Sequence, residues 1–473
     1  MRFPPKTLFL IPVLVAGLSL IPDGRVRAQT FKTLHSFIGQ GDGAFPEAGV
    51  ILAGNRLYGT TYSGGTSANG TVFAVNTDGT DYTNLHSFQM TSEGVGLHGG
   101  LVLSGTTLYG TASHAASQAW GAMFAVNTDG TGFTNLHNFT NSNDGGGPYA
   151  GLTLSGSTLY GATMNGGSVN NGTVFKANTA GTGFTILHSF TGGSFGTVGV
   201  YAGLILSENV LYGTTYRGGS SGNGTVFAVH TDGTGFTNLH SFTAIGGTYG
   251  SNNDGANPYA SLTLSGNRLY GTAYNGGTSG NGTVFALNTN GTDFTILHTF
   301  TPTPSNYPFT NSDGAKPYAE LRLSGSILYG TASMDGSRGY GTVFAVNTDG
   351  TDFMTLYSFT GGSDGSSPRA GLILSENTLY GTAYYGGSQP PYQFGTVFSL
   401  SLPPPPRLVL TRSGANVVLT WPTNTAGFTL QSTTNLVSPA NWITNSPTPV
   451  VVNGQNTVTN LVSATMQFYR LSR

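Results

Sequence analysis

The residues best able to do chemistry lie in loops and come in sets. Five loops carry Asp-Gly a few residues ahead of a proline, at Asp42, Asp144, Asp254, Asp313 and Asp364. In three of them tyrosine follows the proline, at Tyr149, Tyr259 and Tyr318. Carboxylates and phenols in register could offer acceptors and ring faces to a sugar, or oxygen ligands to calcium. Asn141-Ser-Asn-Asp-Gly145 and Asn311-Ser-Asp-Gly314 are similar to oxygen-rich calcium loops. The same residues also suit a plain turn, because Asp accepts backbone hydrogen bonds, Gly takes positive φ and Pro ends the turn. For each aspartate alone the turn is the stronger reading. No cofactor is expected, and calcium is the one metal these loops could suit.

A second set is histidine. His35, His86, His137, His188, His240 and His298 all follow leucine near a phenylalanine, and Tyr357 takes the seventh place. Equivalent positions in successive repeats lie far apart, so one metal ion could not collect them, and packing or a hydrogen bond is the expected role. His98, His114 and His230 show no metal-ligand spacing. Acids outside the repeated turns are few, chiefly Glu93, Glu208, Glu376 and Asp335, with Glu47 and Glu320 read as a matched pair after long loops. A glycosidase carboxylate pair could be drawn from these, but no spacing points to it. There is no phosphate-binding glycine loop, no nucleophile elbow and no cysteine, which excludes thiol catalysis, thiolate metal sites and disulfides. No catalytic residue is assigned.

The elements that must position these residues are repeats. Gly-Thr-Val-Phe or a close variant begins at Gly70, Gly121, Gly172, Gly224, Gly282, Gly341 and Gly395, each preceded by Leu-Tyr-Gly. A period just above 50 suits propeller blades. Each period divides into four short runs rich in Thr, Val, Phe, Tyr and Leu, and five periods carry Asn-Gly or Asp-Gly between the third and fourth, at Asp78, Asp129, Asp232, Asn290 and Asp349. That is the composition of a four-stranded antiparallel meander with tight hairpins. The third run is apolar on both faces, as a sheet sandwiched between neighbours requires. The glycine of Leu-Tyr-Gly-Thr is expected to allow close approach between sheets. The chain starts with a lone fourth run, Phe31–Phe37, and leaves the repeats after a third run, Gly395–Leu400. Seven complete meanders exist only if the first strand completes the last. The fold expected is all-β: a seven-bladed β-propeller closed by the N-terminal strand, followed by a small β-sandwich.

The LYGT…GG…GTVF…NTDGT pattern resembles the GloVer-type (Gloeo/Verruco) extracellular tandem repeats over roughly residues 31–402. The resemblance implies a secreted, propeller-like repeat protein and brings no catalytic residues to transfer. Copy two departs from the pattern at Ser113–Trp120, and copy four lacks Asp-Gly ahead of its first strand.

Around the repeats, residues 1–28 read as a signal peptide, with Arg2 and Lys6 ahead of an apolar stretch, Leu8–Leu20, too short to span a bilayer. Residues 29–402 form the propeller, 403–406 a stiff Pro-rich linker, and 407–473 a small β-sandwich domain whose Val-Leu-Thr-Trp and Phe-Tyr-Arg-Leu stretches weakly resemble fibronectin type III. Trp421 and Trp442 are expected in its core. Net charge is −2, charged residues make up 8%, and no basic run occurs, which argues against nucleic acid. No membrane span is expected after signal cleavage, and the protein is expected to be monomeric, in the periplasm, the cell envelope or the medium.

Loops leaving the fourth strand and loops joining strands two and three share one face, and these are the long, variable ones. Variable loops on a rigid scaffold are where binding usually sits. The function expected is therefore a non-enzymatic binding scaffold for a glycan, surface polymer or protein on that face. Two alternatives stay open: a carbohydrate-active hydrolase or lyase at the propeller mouth, and a purely structural envelope component.

Overall fold

The computed structural model describes residues 29–90, 93–114, 120–192, 198–247, 250–304, 310–388, 393–403, 407–423, 428–434, 442–444, 448–461 and 467–472. The expected signal peptide and residues 404–406 of the linker lie outside the described residues. Among the described residues there is no helix, so none is long and apolar enough to cross a membrane.

Each repeat folds as the meander its composition predicts. The first sheet pairs Ile51–Ala53, Arg56–Thr61, Thr71–Asn76 and Thr83–Ser87 in sequence order, all antiparallel. Among the described residues seven such sheets follow one another between residues 30 and 401, the sixth gaining a short extra strand at Ala315–Pro317. The last sheet is Ile373–Ser375, Thr378–Ala383 and Thr396–Ser401, and its fourth strand is the N-terminal Thr30–Ser36, with Thr30 opposite Ser401 and Ser36 opposite Thr396. Sheets stacked in this way about a common axis make a β-propeller.

The motif residues have distinct jobs. Leu57, Val72, Phe73 and Val75 are fully buried, so the third strand is covered on both faces as expected. The glycine of Leu-Tyr-Gly-Thr acts within a sheet rather than between sheets. Gly59 lies directly opposite Phe73 on the neighbouring strand, and a Cβ there would sit 2.5 Å from Phe73 Cζ. The phenylalanine ring occupies the space that a side chain would need.

Two series of contacts join each sheet to the next. The threonine after that glycine donates its hydroxyl to a backbone carbonyl of the following sheet: Thr60 to Gly99, Thr111 to Ala150, Thr214 to Ala260, Thr272 to Ala319 and Thr331 to Ala370. Thr382 of the last sheet donates to Ala48 of the first at 3.0 Å. In the third sheet Ala162 stands at this position and the bond is missing. Farther out, each fourth-strand histidine stacks on an aromatic ring of the next sheet, as His86 does on Phe133 with centroids 3.9 Å apart. Tyr357 stacks on Phe31 at 4.2 Å, and His35 beside Phe31 stacks on Tyr82 of the first sheet at 3.7 Å. Both series run from the last sheet to the first.

The C-terminal segment forms two antiparallel sheets. One pairs Val409–Ser413, Asn416–Pro422, Gln455–Leu461 and Val450–Val452, and the other pairs Ile443–Thr444, Thr429–Thr433 and Phe468–Ser472. They share a core of Leu419, Trp421, Leu430 and Val458. Trp421 is 1% exposed, whereas Trp442 is only half-buried, under the Arg470 guanidinium at 4.2 Å.

Two substitutions test this packing. Gly271→Ala places a methyl 2.6 Å from Phe285 Cζ and should lower stability by about 1–3 kcal/mol in urea unfolding. Thr382→Val should cost about 1–3 kcal/mol by stranding the Ala48 carbonyl. An unchanged midpoint for Thr382→Val would remove the hydroxyl series from the account.

Candidate functional site

The loop that enters each first strand turns sharply before it reaches the axis. Two residues ahead of the turn's last side chain the backbone is left-handed in every repeat, at Phe45, Gly96, Gly147, Gly199, Asn257, Lys316 and Ser367. For the non-glycine residues this conformation costs on the order of 1–3 kcal/mol, a strain that persists only where the surroundings impose it. It aims the residue two positions later inward. Those residues are Glu47, His98, Tyr149, Tyr201, Tyr259, Tyr318 and Arg369, one from each sheet, and they line a single channel of about 330 Å³.

They touch in a circle. His98 Nδ1 lies 2.7 Å from Glu47 Oε2, and the His98 ring lies 4.3 Å from that of Tyr149. Tyr149 meets Tyr201 at 5.3 Å, Tyr201 stacks on Tyr259 at 4.5 Å, and Tyr259 packs on Tyr318 at 4.1 Å. The Tyr318 hydroxyl donates to Glu47 Oε1 at 3.3 Å, and Arg369 Nη1 reaches the same oxygen at 3.4 Å. Arg369 also lies 3.8 Å over the ring of Tyr384. Tyr62, Tyr216 and Tyr274 pack edge-on or tilted behind this circle and widen it into an aromatic floor.

The electrostatics follow from burial and pairing. Burial alone would raise the Glu47 carboxyl, but its bonds to His98, Arg369 and Tyr318 outweigh burial and hold it below the usual range. Burial pushes the Tyr149 and Tyr384 phenols up to about 12 and also raises Tyr201, Tyr259 and Tyr318. The floor therefore keeps its hydroxyl protons and presents donors. His114, its Nε2 3.4 Å from the Tyr149 hydroxyl, is lowered by burial and stays neutral.

Two residues deeper, the equivalent positions are Gly49, Gly100, Gly151, Gly203, Ser261, Glu320 and Gly371, and they form a waist. A Cβ at Gly49 would lie 2.8 Å from the Gly371 carbonyl oxygen. Neighbouring backbones are that close at the axis, and Glu320 is the one long side chain among them.

Of the residues singled out in the sequence, Tyr149, Tyr259 and Tyr318 converge on this channel and the five aspartates do not. Each aspartate closes its own loop. Asp42 accepts from the Ile38 amide and pairs with His35; Asp144 does the same with Thr140 and His137; Asp254 with Thr243 and His240. Asp313 takes Thr301 and His298, and Asp364 takes Thr360 and the Tyr357 hydroxyl, so Tyr357 does compensate for the missing histidine. In the second loop Glu93 takes the role, with His86 and the Gln89 amide. Of the two calcium-like loops, the one at Asn311 has its amide oxygen engaged, since Asn311 Oδ1 accepts from the amides of Gly314 and Gly336, whereas Asn141 Oδ1 in the other is buried without a hydrogen-bond partner among the described residues. Among the described residues no group of three His, Asp or Glu side chains gathers as a metal site.

Glu47 and Glu320 are not a matched pair. Glu47 shares its column with the tyrosines, and Glu320 shares its column with the glycines. Aligning the residue after the proline across all seven repeats would have found Glu47, His98, Tyr201 and Arg369 as well. The interruptions Leu97-His98 and Val200-Tyr201, which lack the proline, hide that column.

A propeller whose repeats each send one side chain to an aromatic floor on the axis is the class of protein defined here. The Gloeobacter/Verrucomicrobia repeat family matches residues 25–153, 104–311 and 305–416, and the chain belongs to this family. No curated protein matches it in sequence. Among solved structures it is similar to an oligogalacturonate lyase in complex with manganese (9% identity, 80% of this chain and 97% of that one, TM-score 0.45). It is also similar to a provisionally named 6-phosphogluconolactonase from Bacteroides uniformis (16%, 90% and 99%, TM-score 0.44) and to TolB from Acinetobacter baumannii (14%, 64% and 64%, TM-score 0.39).

The loop clasps carry a pH signature. Burial raises Asp254 and Asp313, but bonds from His240 with Thr243 and from His298 with Thr301 bring both below the usual 3.8. A depressed folded value gives stability that is present above the unfolded value and lost as pH falls through the folded one. Asp313→Asn should therefore lower stability at pH 7 by about 1–3 kcal/mol. It should also flatten the loss of thermal stability that the parent shows below about pH 4. Parallel melting curves for parent and variant from pH 7 to pH 3 would refute the clasp.

Proposed function

We propose that the protein is an exported, non-enzymatic binding scaffold that takes a glycan of a surface polymer on the loop face, over the axial aromatic floor. The observation that carries this reading is the convergence of Tyr149, Tyr201, Tyr259 and Tyr318 with His98, Glu47 and Arg369 at the channel mouth. A sugar ring offers C–H faces to aromatic rings and hydroxyls to phenol, imidazole and guanidinium groups, and binding sites of this kind are mostly apolar with a few fixed polar groups. The phenols stay protonated and the charges of Glu47 and Arg369 cancel locally, which suits a neutral polar ligand.

The surroundings support the same face. Within the propeller, of the exposed large hydrophobics among the described residues, Ile38, Met90, Trp120, Val169, Ile245, Met334, Tyr340 and Tyr385 sit in or at the edge of the loops of that face, while Phe236 and Met354 lie at the opposite ends of their fourth strands. The opposite face consists of uniform hairpins such as Thr128–Gly130, whose aspartates are spent on their own turns. Glu47, the one carboxylate of the rim, is bonded to His98, Tyr318 and Arg369, and the Tyr149 phenol is raised by burial and keeps its proton, which supports binding over turnover. Export rests on the charged, then apolar, N-terminal segment.

A glycan array with the full mature chain should show selective binding. Tyr201→Ala should weaken it about tenfold or more, as loss of a central aromatic contact does, while Asp129→Ala on the hairpin face should leave it unchanged. Released product, or equal loss from both substitutions, would overturn the reading.

A further inference from the structure

The seam between the last sheet and the first carries aromatic rings where other repeats carry small or amide side chains. Phe45 stands at the left-handed turn position, with φ +58°, where Gly96, Gly147 and Gly199 stand in three other repeats. Tyr385, 40% exposed, occupies the place of Ser63, Asn165 and Asn275. Phe394 occupies the place of Asn69, Asn171, Asn223 and Asn281. In no other repeat are all three positions aromatic.

Closure of the seam does not call for these rings. Asn69, Asn223 and Asn281 donate side-chain amides to the Phe88, Thr243 and Thr301 carbonyls, a bond that phenylalanine at this position gives up. The backbone bond that joins the two sheets here, from the Phe45 amide to the Phe394 carbonyl at 2.7 Å, is made equally by Asn257 to Asn223. Left-handed backbone is free of strain for glycine and costly for a bulky aromatic residue. A residue held in such a conformation, with a ring that the fold can do without, is a pointer to function.

The rings form one surface that continues the rim outward. The Arg369 guanidinium lies 5.9 Å from the Tyr318 ring on the rim and 3.8 Å over the Tyr384 ring. Tyr384 stacks with Phe45 at 5.3 Å and meets Tyr385 edge-on at 4.6 Å, and Phe45 meets Phe394 at 5.8 Å. Phe45, Tyr384 and Phe394 are each partly exposed. Each step along this surface is on the scale of one pyranose ring. The charge beside it, Arg369, is already paired with Glu47. Stacking surface with a paired charge suits the C–H faces of an uncharged sugar chain.

We propose that this seam is a second stacking subsite of the glycan face, and that the ligand is an extended, linear, uncharged polysaccharide chain running outward from the axis across Tyr384, Phe45 and Phe394. One sugar unit lies over the axial floor, and the units next to it lie along the seam. The inference rests on the reading of the rim as a glycan site and adds to it a chain length and a direction.

The test is calorimetric titration of the full mature chain at pH 7 with cellobiose and with cellohexaose. A β-1,4-glucan suits as the probe because its equatorial hydroxyls leave C–H faces on both sides of every ring. Wild type should bind cellohexaose about tenfold or more tightly than cellobiose, through the added ring contacts. Phe45→Gly and Tyr385→Asn give the seam residues that other repeats already carry, so both should fold, as melting curves would check. Each should shrink the ratio between the two sugars to about threefold or less, by removing one stacking surface. Tyr201→Ala should instead weaken both sugars. Equal affinity of wild type for the two sugars, or a ratio that survives both substitutions while Tyr201→Ala still weakens binding, would overturn the seam and leave the rim reading standing. Binding of neither sugar by wild type would also overturn the proposal, and the glycan array then decides the rim reading alone.

Discussion

Crowding at the axis governs this molecule. Seven first strands converge there, and the Gly371 carbonyl oxygen comes within 2.8 Å of where a Cβ of Gly49 would stand. Side chains are thus nearly excluded from one tier, and whatever chemistry the axis has must sit above or below it. The rim above is where side chains can meet, and the left-handed turns ahead of it supply the bend that brings them inward. The strain of those turns is offset by the packing they permit, since every rim residue touches at least one rim neighbour.

The same constraint explains the repeat motif. Strands that close at the centre diverge outward, so contacts between sheets must change character with radius. Near the axis they are hydroxyl-to-carbonyl bonds from threonine, short enough for the narrow gap. Farther out, where the gap is wider, a histidine and an aromatic ring fill it, at centroid distances from 3.5 Å for His298 and Phe353 to 4.2 Å for Tyr357 and Phe31. The histidine has a second partner, the loop acid, so one side chain fixes both the neighbouring sheet and the turn that follows. Each stacked pair is worth about 0.5–1.5 kcal/mol beyond its burial, and repetition around the propeller makes the series substantial. This double duty accounts for five of the six histidines in equivalent places, while among the described residues His188 keeps only its ring contacts with Phe190 and Phe236.

Much of the fold could be read from the chain because it depends on local, repeated signals. Alternating β-formers, Asp-Gly hairpins and the displaced first strand each appear in the sequence in plain form. The aspartates could be read as turn residues for the same reason. The role of Gly59 was not legible, because its reason is the ring of Phe73 on the neighbouring strand, a contact that register creates. Nor was the rim. Its members differ in type from repeat to repeat, and what unites them is a direction in space. Three tyrosines after proline hinted at it, but Glu47, His98 and Arg369 look unrelated until the column is aligned.

Where the repeats differ is therefore more informative than where they agree. A perfectly sevenfold propeller would present seven identical side chains to its axis and could favour no orientation of a ligand. Here four neighbouring tyrosines make one arc of the rim, and Arg369, Glu47 and His98 make the other. The first arc is uncharged and aromatic, and the second is a bonded cation–anion–imidazole chain. A ligand lying over the floor would meet stacking surface on one side and directional donors on the other, so its orientation would be set. Glu320 breaks the symmetry again one tier down, two residues beyond Tyr318 on the same stretch of chain. The two departures lie in successive tiers of one channel, and together they give a symmetric scaffold a defined polar side.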